Sequence, residues 1–175
     1  MIIITAVGKD RPGMAHALAH ALAQEGCNIE DTTMTRLSGE FAMILIVSPP
    51  QNIALDDLSQ TLKPLEVSHG LFLNCRAIED NTEDGIDDAP RYLLSVYGPE
   101  RAGLVAQITG VLAQQNVNIT DVQTRVASAG AAYIMLFEIE LPFDLDAQTL
   151  TLSLENAARE IGAQVSLRAI ETETL

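Results

Sequence analysis

The chain has 175 residues, 47% of them apolar and only 4% aromatic, enough for aliphatic cores in one ordinary domain or two small ones. Its net charge of −14 would repel a duplex phosphate backbone, and no Lys/Arg cluster offsets this, so direct DNA binding is disfavoured. No apolar run approaches the length of a membrane span, and the opening MIIITAVGKD lacks the basic leader and cleavage pattern of a signal peptide, so a cytoplasmic protein is expected.

Taken in chain order, the β-branched run Ile2 to Val7 predicts a strand, and Pro12 a helix start, with Met14, Leu18 and Leu22 recurring every four residues until Gly26 stops it. Cys27, in the following turn, and Cys75 are too far apart for a redox or zinc pair and too few for a disulfide framework; both read as buried free thiols. A strand from Asn28, a turn at Ser38-Gly39 and the apolar strand FAMILIV follow. A second helix is predicted on Leu55, Leu58, Leu62 and Leu65. A last strand is predicted to alternate Val67, His69, Leu71, Leu73, Cys75 and Ala77 towards one face.

The segment from Asp80 to Pro90, DNTEDGIDDAP, has no aliphatic residue except Ile86 and only negative charges, the composition of a linker. Its spaced acids are not a calcium loop, because Thr82 and Arg91 stand where such a loop needs an oxygen-rich ligand and a bidentate Glu. Beyond it the order of elements repeats. Setting Ile4 to Ile29 over Leu94 to Ile119 aligns Gly8 with Gly98, Asp10 with Glu100, Arg11 with Arg101, Gly13 with Gly103 and Asn28-Ile29 with Asn118-Ile119. Leu104, Ile108 and Leu112 keep the helical register, and Gly130 predicts a hairpin before AYIMLFEI. The second helix presents Leu150, Leu154, Ala158 and Ile161, and Val165, Leu167 and Ala169 alternate in the last strand.

Two copies of about ninety residues mean tandem domains rather than a solenoid. The expected organisation is a first domain over 1–79, a linker over 80–90 and a second domain over 91–175. Each half reads βαββαβ, an α+β order that right-handed crossovers turn into a ferredoxin-like sandwich: a four-stranded antiparallel sheet with two helices on one face. The uncovered edges and faces of such sheets predict association between halves and a homo-oligomer.

The first turn, Asp10, Arg11, Pro12, Gly13 and Met14, and its repeat, Glu100, Arg101, Ala102, Gly103 and Leu104, each join a strand to a helix start with unpartnered N–H groups. A glycine there lets a ligand approach the backbone, and a carboxylate gains roughly 0.3 to 2 kcal/mol from the helix dipole. Asn28 and Asn118, followed by Ile29 and Ile119, carry amides that both donate and accept. Together these groups suit a zwitterionic α-amino acid; equally, Gly-Pro chemistry builds a tight connection and Asn caps a turn without any ligand.

The stretches GKDRPGMAHALAHALAQEGCNI and GPERAGLVAQITGVLAQQNVNI resemble the opening strand, loop, helix and second strand of ACT domains, small regulatory modules that bind amino acids or related molecules at domain interfaces. Two such domains with no attached enzyme resemble the glycine cleavage system transcriptional repressor family. The resemblance implies regulation without catalysis: a response to a small amino acid, glycine favoured, and action through contact with a transcriptional activator, a protein partner, rather than DNA. It also implies that the ligand loops are Asp10 to Gly13 and Glu100 to Gly103. The second loop departs from the commoner form, with Ala102 where Pro12 stands, so the first loop is expected to be the better preorganised.

An enzyme is not expected. His16 and His20 have metal-chelating spacing, but the second copy has Ala106 and Gly110 there, and a solvent-facing helix surface is the simpler reading; no metal or cofactor is expected. His69 reads as a partly buried strand residue or part of a domain contact. Nucleophile-elbow, phosphate-loop and dinucleotide motifs are absent from the sequence. Two non-catalytic alternatives stand beside the repressor-like reading: a ligand-binding regulatory subunit of an amino-acid biosynthetic enzyme, and a ligand-free dimerisation scaffold.

Overall fold

In the computed structural model, which describes residues 1–78, 89–127 and 132–170, the alternation at the N-terminus decides how the first sheet faces. Ile2, Ile4 and Ala6 point into the core and Ile3, Thr5 and Val7 away from it, as a period of two requires. The chain divides into two compact units, Met1–Glu83 and Asp84–Leu175.

The first unit runs β1 (Ile2–Lys9), α1 (Met14–Gln24), β2 (Asn28–Leu37), β3 (Glu40–Ser48), α2 (Leu55–His69) and β4 (Leu71–Ala77). The second repeats it as β5 (Arg91–Gly98), α3 (Leu104–Gln114), β6 (Asn118–Ala127), β7 (Ala132–Glu140), α4 (Ala147–Glu160) and β8 (Gln164–Ala169). Each sheet is fully antiparallel, in the orders β2-β3-β1-β4 and β6-β7-β5-β8. This is the ferredoxin-like βαββαβ unit, twice. Even the irregularity repeats: an extra residue, Glu30 in β2 and Thr120 in β6, bulges each edge strand near its start.

The cores are largely aliphatic, with one phenylalanine in each, Phe41 and Phe137. Met14, Leu18 and Leu22 of α1 and Leu58 and Leu62 of α2 close over Ile4, Leu45 and Val47; Leu104, Ile108, Leu112, Leu150 and Leu154 close over Leu94, Phe137 and Ile139. No polar or charged side chain is buried among the described residues. Leucine repeats at helical spacing, facing β-branched and leucine positions at strand spacing, leave this as the arrangement that removes both stripes from water.

The structure corrects two local expectations. Helix α2 continues to His69, so Val67 and His69 are helical rather than part of the last strand, and Val67 is 90% exposed. The alternation over Val67 and His69 continues that of β4 only by coincidence, because residues two apart point to opposite sides of a helix, and the stop is Gly70, whose φ of 65° ends α2 before Leu71 opens β4. Pro64 lies inside that helix, where Ser68 Oγ donates to the Pro64 carbonyl at 2.8 Å. Helix α1 begins at Met14 rather than Pro12, because Gly13 at φ 95° is not helical and places Pro12 in the turn. The Ser38-Gly39 hairpin is as expected, with both residues at positive φ. The expected hairpin at Gly130 and the linker over 80–88 lie outside the described residues; Ala89 and Pro90 precede β5.

Candidate functional site

The two matched turns share one geometry. Gly13 and Gly103 precede α1 and α3 at φ 95° and 91°, and nothing lies within 4 Å of a Cβ built on either. Glycine is needed for the left-handed backbone, and the space above it is open. The first helical bonds are Ala17 N–H to the Gly13 carbonyl at 2.8 Å and Gln107 N–H to the Gly103 carbonyl at 2.9 Å. The amides ahead of these bonds lie outside the helical ladder, and neither helix has a side-chain cap or an acidic residue in its first turn.

The other two helices are treated differently. Asp56 and Asp57 occupy the first turn of α2, and the Asp146 carboxylate accepts from Thr149 N–H at 2.9 Å at the start of α4. The chain therefore neutralises the positive ends of α2 and α4 with its own carboxylates and leaves those of α1 and α3 bare.

The loops differ in how they are held. Asp10 N–H donates to the Gly39 carbonyl at 2.9 Å, and Asp10 Oδ2 lies 2.8 Å from Arg36 Nε, tying the first loop to the β2–β3 hairpin. Arg11 N–H points to Met14 Sδ at 3.2 Å. In the second unit the pairing register puts Val126 where Arg36 stands, because Val126 opposes Tyr133 as Arg36 opposes Phe41. The second loop borders an open concavity of about 810 Å³, lined by Glu100 to Ala106 and by Tyr133.

The structure separates the residues that the sequence groups together. Met14 and Leu104 are core side chains, so their contribution to a site is the backbone. Ile29 and Ile119 pack against the two cores. Asn28 pairs with Ser48, whereas the loop end of the sheet is marked by Gly8 opposite Phe41; seven residues of β3 at about 3.3 Å each put the asparagine at the far end of its own sheet. Its amide donates to Glu30 Oε1 at 3.0 Å, and that bond, with a further one from Ser48, holds the Glu30 carboxyl below the usual range. Asn118 likewise donates to Glu140 Oε2 at 3.0 Å. Neither amide meets a loop within its own unit.

The aligned glycines Gly8 and Gly98 carry a role that the repeat alone did not distinguish. A Cβ at Gly8 would lie 2.6 Å from the Gly70 carbonyl oxygen, and one at Gly98 would lie 2.7 Å from Ala163 Cβ. Both are packing positions at the ends of α2 and α4. His16 and His20 stack on the exposed side of α1, ring centres 5.6 Å apart, and among the described residues no group of three or more His, Cys, Asp or Glu converges. No helix of the described residues is long and apolar enough to cross a membrane.

Comparison with known proteins follows the same duplication. The profile of the ACT domain family matches residues 1–76 and again 91–168. The glycine cleavage system transcriptional repressor of Escherichia coli strain K12 is 24% identical over 174 residues, spanning 97% of this chain and 90% of that protein. A UPF0237 protein of Methanocaldococcus jannaschii is 41% identical over 75 residues, 43% of this chain and 82% of its own length. Among solved structures, an unknown protein from Galdieria sulphuraria superimposes with a TM-score of 0.81 at 27% identity, covering 97% of this chain and 98% of that one.

Proposed function

Since the chain belongs to the ACT domain family, matched over most of its length in two copies, we propose that it is a non-catalytic regulator that responds to a small amino acid and acts by contact with another protein. The observation that carries this reading is the selective baring of two equivalent helix ends: α1 and α3 lack the acidic residues that cover α2 and α4, at the loops Asp10–Gly13 and Glu100–Gly103. Bare amides offer donors to a ligand carboxylate, and Asp10 or Glu100 offers an acceptor to its ammonium group. Likeness to a glycine cleavage system transcriptional repressor along nearly the whole chain supports glycine as the first ligand to test and a transcriptional activator as the first partner.

The second loop is the one to test first. Its carboxylate has Val126 rather than an arginine across the hairpin position, and it opens on the large concavity, whereas Asp10 is already engaged by Arg36. Preorganisation by Pro12 favoured the first loop in the sequence; the pairing of its acid argues the other way. Asn28 and Asn118 enter such a site only from a unit other than the one whose loop they would complete. Binding becomes regulation through differential affinity: a ligand that holds one arrangement of subunits more tightly than another shifts the population towards it.

The test is a thermal-shift series against the common amino acids, followed by calorimetry. Saturation at one hundred times Kd adds about 2.7 kcal/mol, several degrees for a chain of this size. A shift by glycine or another small amino acid that is lost in Gly103→Leu, with folding retained, supports the reading. Absence of a shift from every amino acid overturns it in favour of a ligand-free scaffold. Capture of a biosynthetic enzyme from lysate in place of a DNA-binding activator would reassign the partner.

A further inference from the structure

The face of the first sheet that the helices do not cover is half apolar and carries its charges in a pattern. Across the strand order β4, β1, β3, β2, one row reads Arg76, Ile3, Ile46, Asp31; the next Asn74, Thr5, Ile44, Thr33; the next Phe72, Val7, Ala42, Thr35; and the last pairs Lys9 with Glu40 and Leu37. Phe72 is 69% exposed, Val7 46% and Ile44 42%. We propose that this face is the seat of a second copy of the chain, stacked sheet on sheet about a two-fold axis that runs along the strands between β1 and β3.

The argument is charge complementarity under that one operation. A two-fold axis along the strands keeps each row over itself and exchanges β1 with β3 and β4 with β2. Arg76 then faces Asp31 of the second copy and Lys9 faces Glu40, each pair occurring twice, while Ile3 lies over Ile46, Thr5 over Ile44 and Val7 over Ala42. The in-plane axis at right angles to the strands does the opposite, setting Arg76 over the Phe72 end of β4 and Lys9 over the Ile3 end of β1. Charged side chains opposite apolar ones lose hydration without gaining a partner. Aligned sheets pack at about −30° rather than squarely; long Lys and Arg side chains at the rim tolerate that rotation, and the apolar rows sit nearest the axis.

The second sheet satisfies the same operation only at its edges. Its corresponding row reads Arg168, Leu93, Glu138, Asp121, so Arg168 and Asp121 repeat the edge pair, but Glu138 on β7 beside Leu93 on β5 would lay a carboxylate over leucine at the centre, and Glu138 is held by Arg91 at 3.2 Å within its own unit. The pattern therefore selects the face of the first unit.

Charge-reversed variants of the full chain test both the partner and the axis, read by analytical ultracentrifugation with melting temperature as the control for folding. Arg76→Glu alone and Asp31→Arg alone each oppose like charges twice in the dimer, and each is expected to weaken it by about tenfold or more. An equimolar mixture of the two variants restores both pairs, since the new acid faces the new arginine and Asp31 of one chain faces Arg76 of the other; dimer at near the original affinity is expected. A monomeric wild-type chain at 100 Kd-scale concentrations of ordinary dimers, about 100 μM for a micromolar Kd, overturns the proposal, whether the face is covered by another protein or by none. A wild-type dimer that is indifferent to both substitutions, or a mixture no tighter than its components, overturns it in favour of association through another surface.

Discussion

Arg36 Nε lies 2.8 Å from Asp10 Oδ2 and ties the first strand-to-helix loop to the neighbouring hairpin, while the equivalent position in the second unit is Val126. The acid of the duplicated loop thus faces an arginine in one copy and, at the equivalent described position, a valine in the other. The Arg36 side chain is 68% exposed, so the pair is worth little as stability, under about 1 kcal/mol, and is screened by salt. Its effect is positional.

Arg36→Val, which copies the second unit, is therefore expected to lower the melting temperature by no more than a few degrees. Amide exchange at Asp10 is expected to accelerate as its bond to the Gly39 carbonyl loosens. Unchanged exchange at Asp10, measured by hydrogen–deuterium exchange, would show that the backbone bond alone holds the loop.

Gly8 and Gly13 are expected to rank substitutions in opposite orders. At Gly13 the difficulty is the positive φ, which costs about 1 to 3 kcal/mol for a side chain but less for asparagine, so Gly13→Asn should unfold at higher denaturant than Gly13→Ala. At Gly8 the difficulty is space, because a Cβ meets the Gly70 carbonyl at 2.6 Å, so Gly8→Ala should be less damaging than Gly8→Asn. Urea midpoints of the four variants decide it; the same order at both positions would contradict the assigned roles.

Burial raises the Cys75 thiol above its ordinary range, with the Glu66 carboxylate adding to the effect, and burial followed by Glu25 does the same for Cys27. Because the folded state prefers the neutral thiol, this contribution to stability is complete below the unfolded thiol's pKa of about 8.5 and is lost as pH rises through the raised folded value. Disulfide reagents at pH 8 should react more slowly with the native chain than with the unfolded one. Cys75→Ser should flatten the alkaline fall in stability, measured by urea unfolding between pH 8 and 10; an unchanged slope would show that Cys75 does not contribute to it.

Much of the fold was legible because its signals are local and occur twice. Leu18 and Leu22 repeat as Ile108 and Leu112, the glycine turns recur ninety residues apart, and the apolar runs of β1 and β3 read as strands, although which face of each is buried shows only in the structure. Val67 and His69 extend the alternation of β4 backwards by coincidence, since residues two apart lie on opposite sides of a helix, and the deciding residue, Gly70, acts by a backbone conformation that the pattern does not encode. The candidate site was legible as residue types and not as a place. Asn28 and Gly13 lie fifteen positions apart in sequence, yet the antiparallel pairing sends them to opposite ends of one sheet.

By itself the sequence determined the duplication, the βαββαβ order, the aliphatic cores and the two loops, since each depends on periodicities and turn residues within a few positions of one another. The tertiary structure alone decided that Asp10 meets Arg36, that Asn28 and the first loop stand at opposite ends of one sheet, and that Arg76 and Asp31 share one row on opposite edges of a sheet. These are consequences of register: which strands pair, and by how many residues they are offset, is settled by burying both apolar faces at once, and no single segment carries that information.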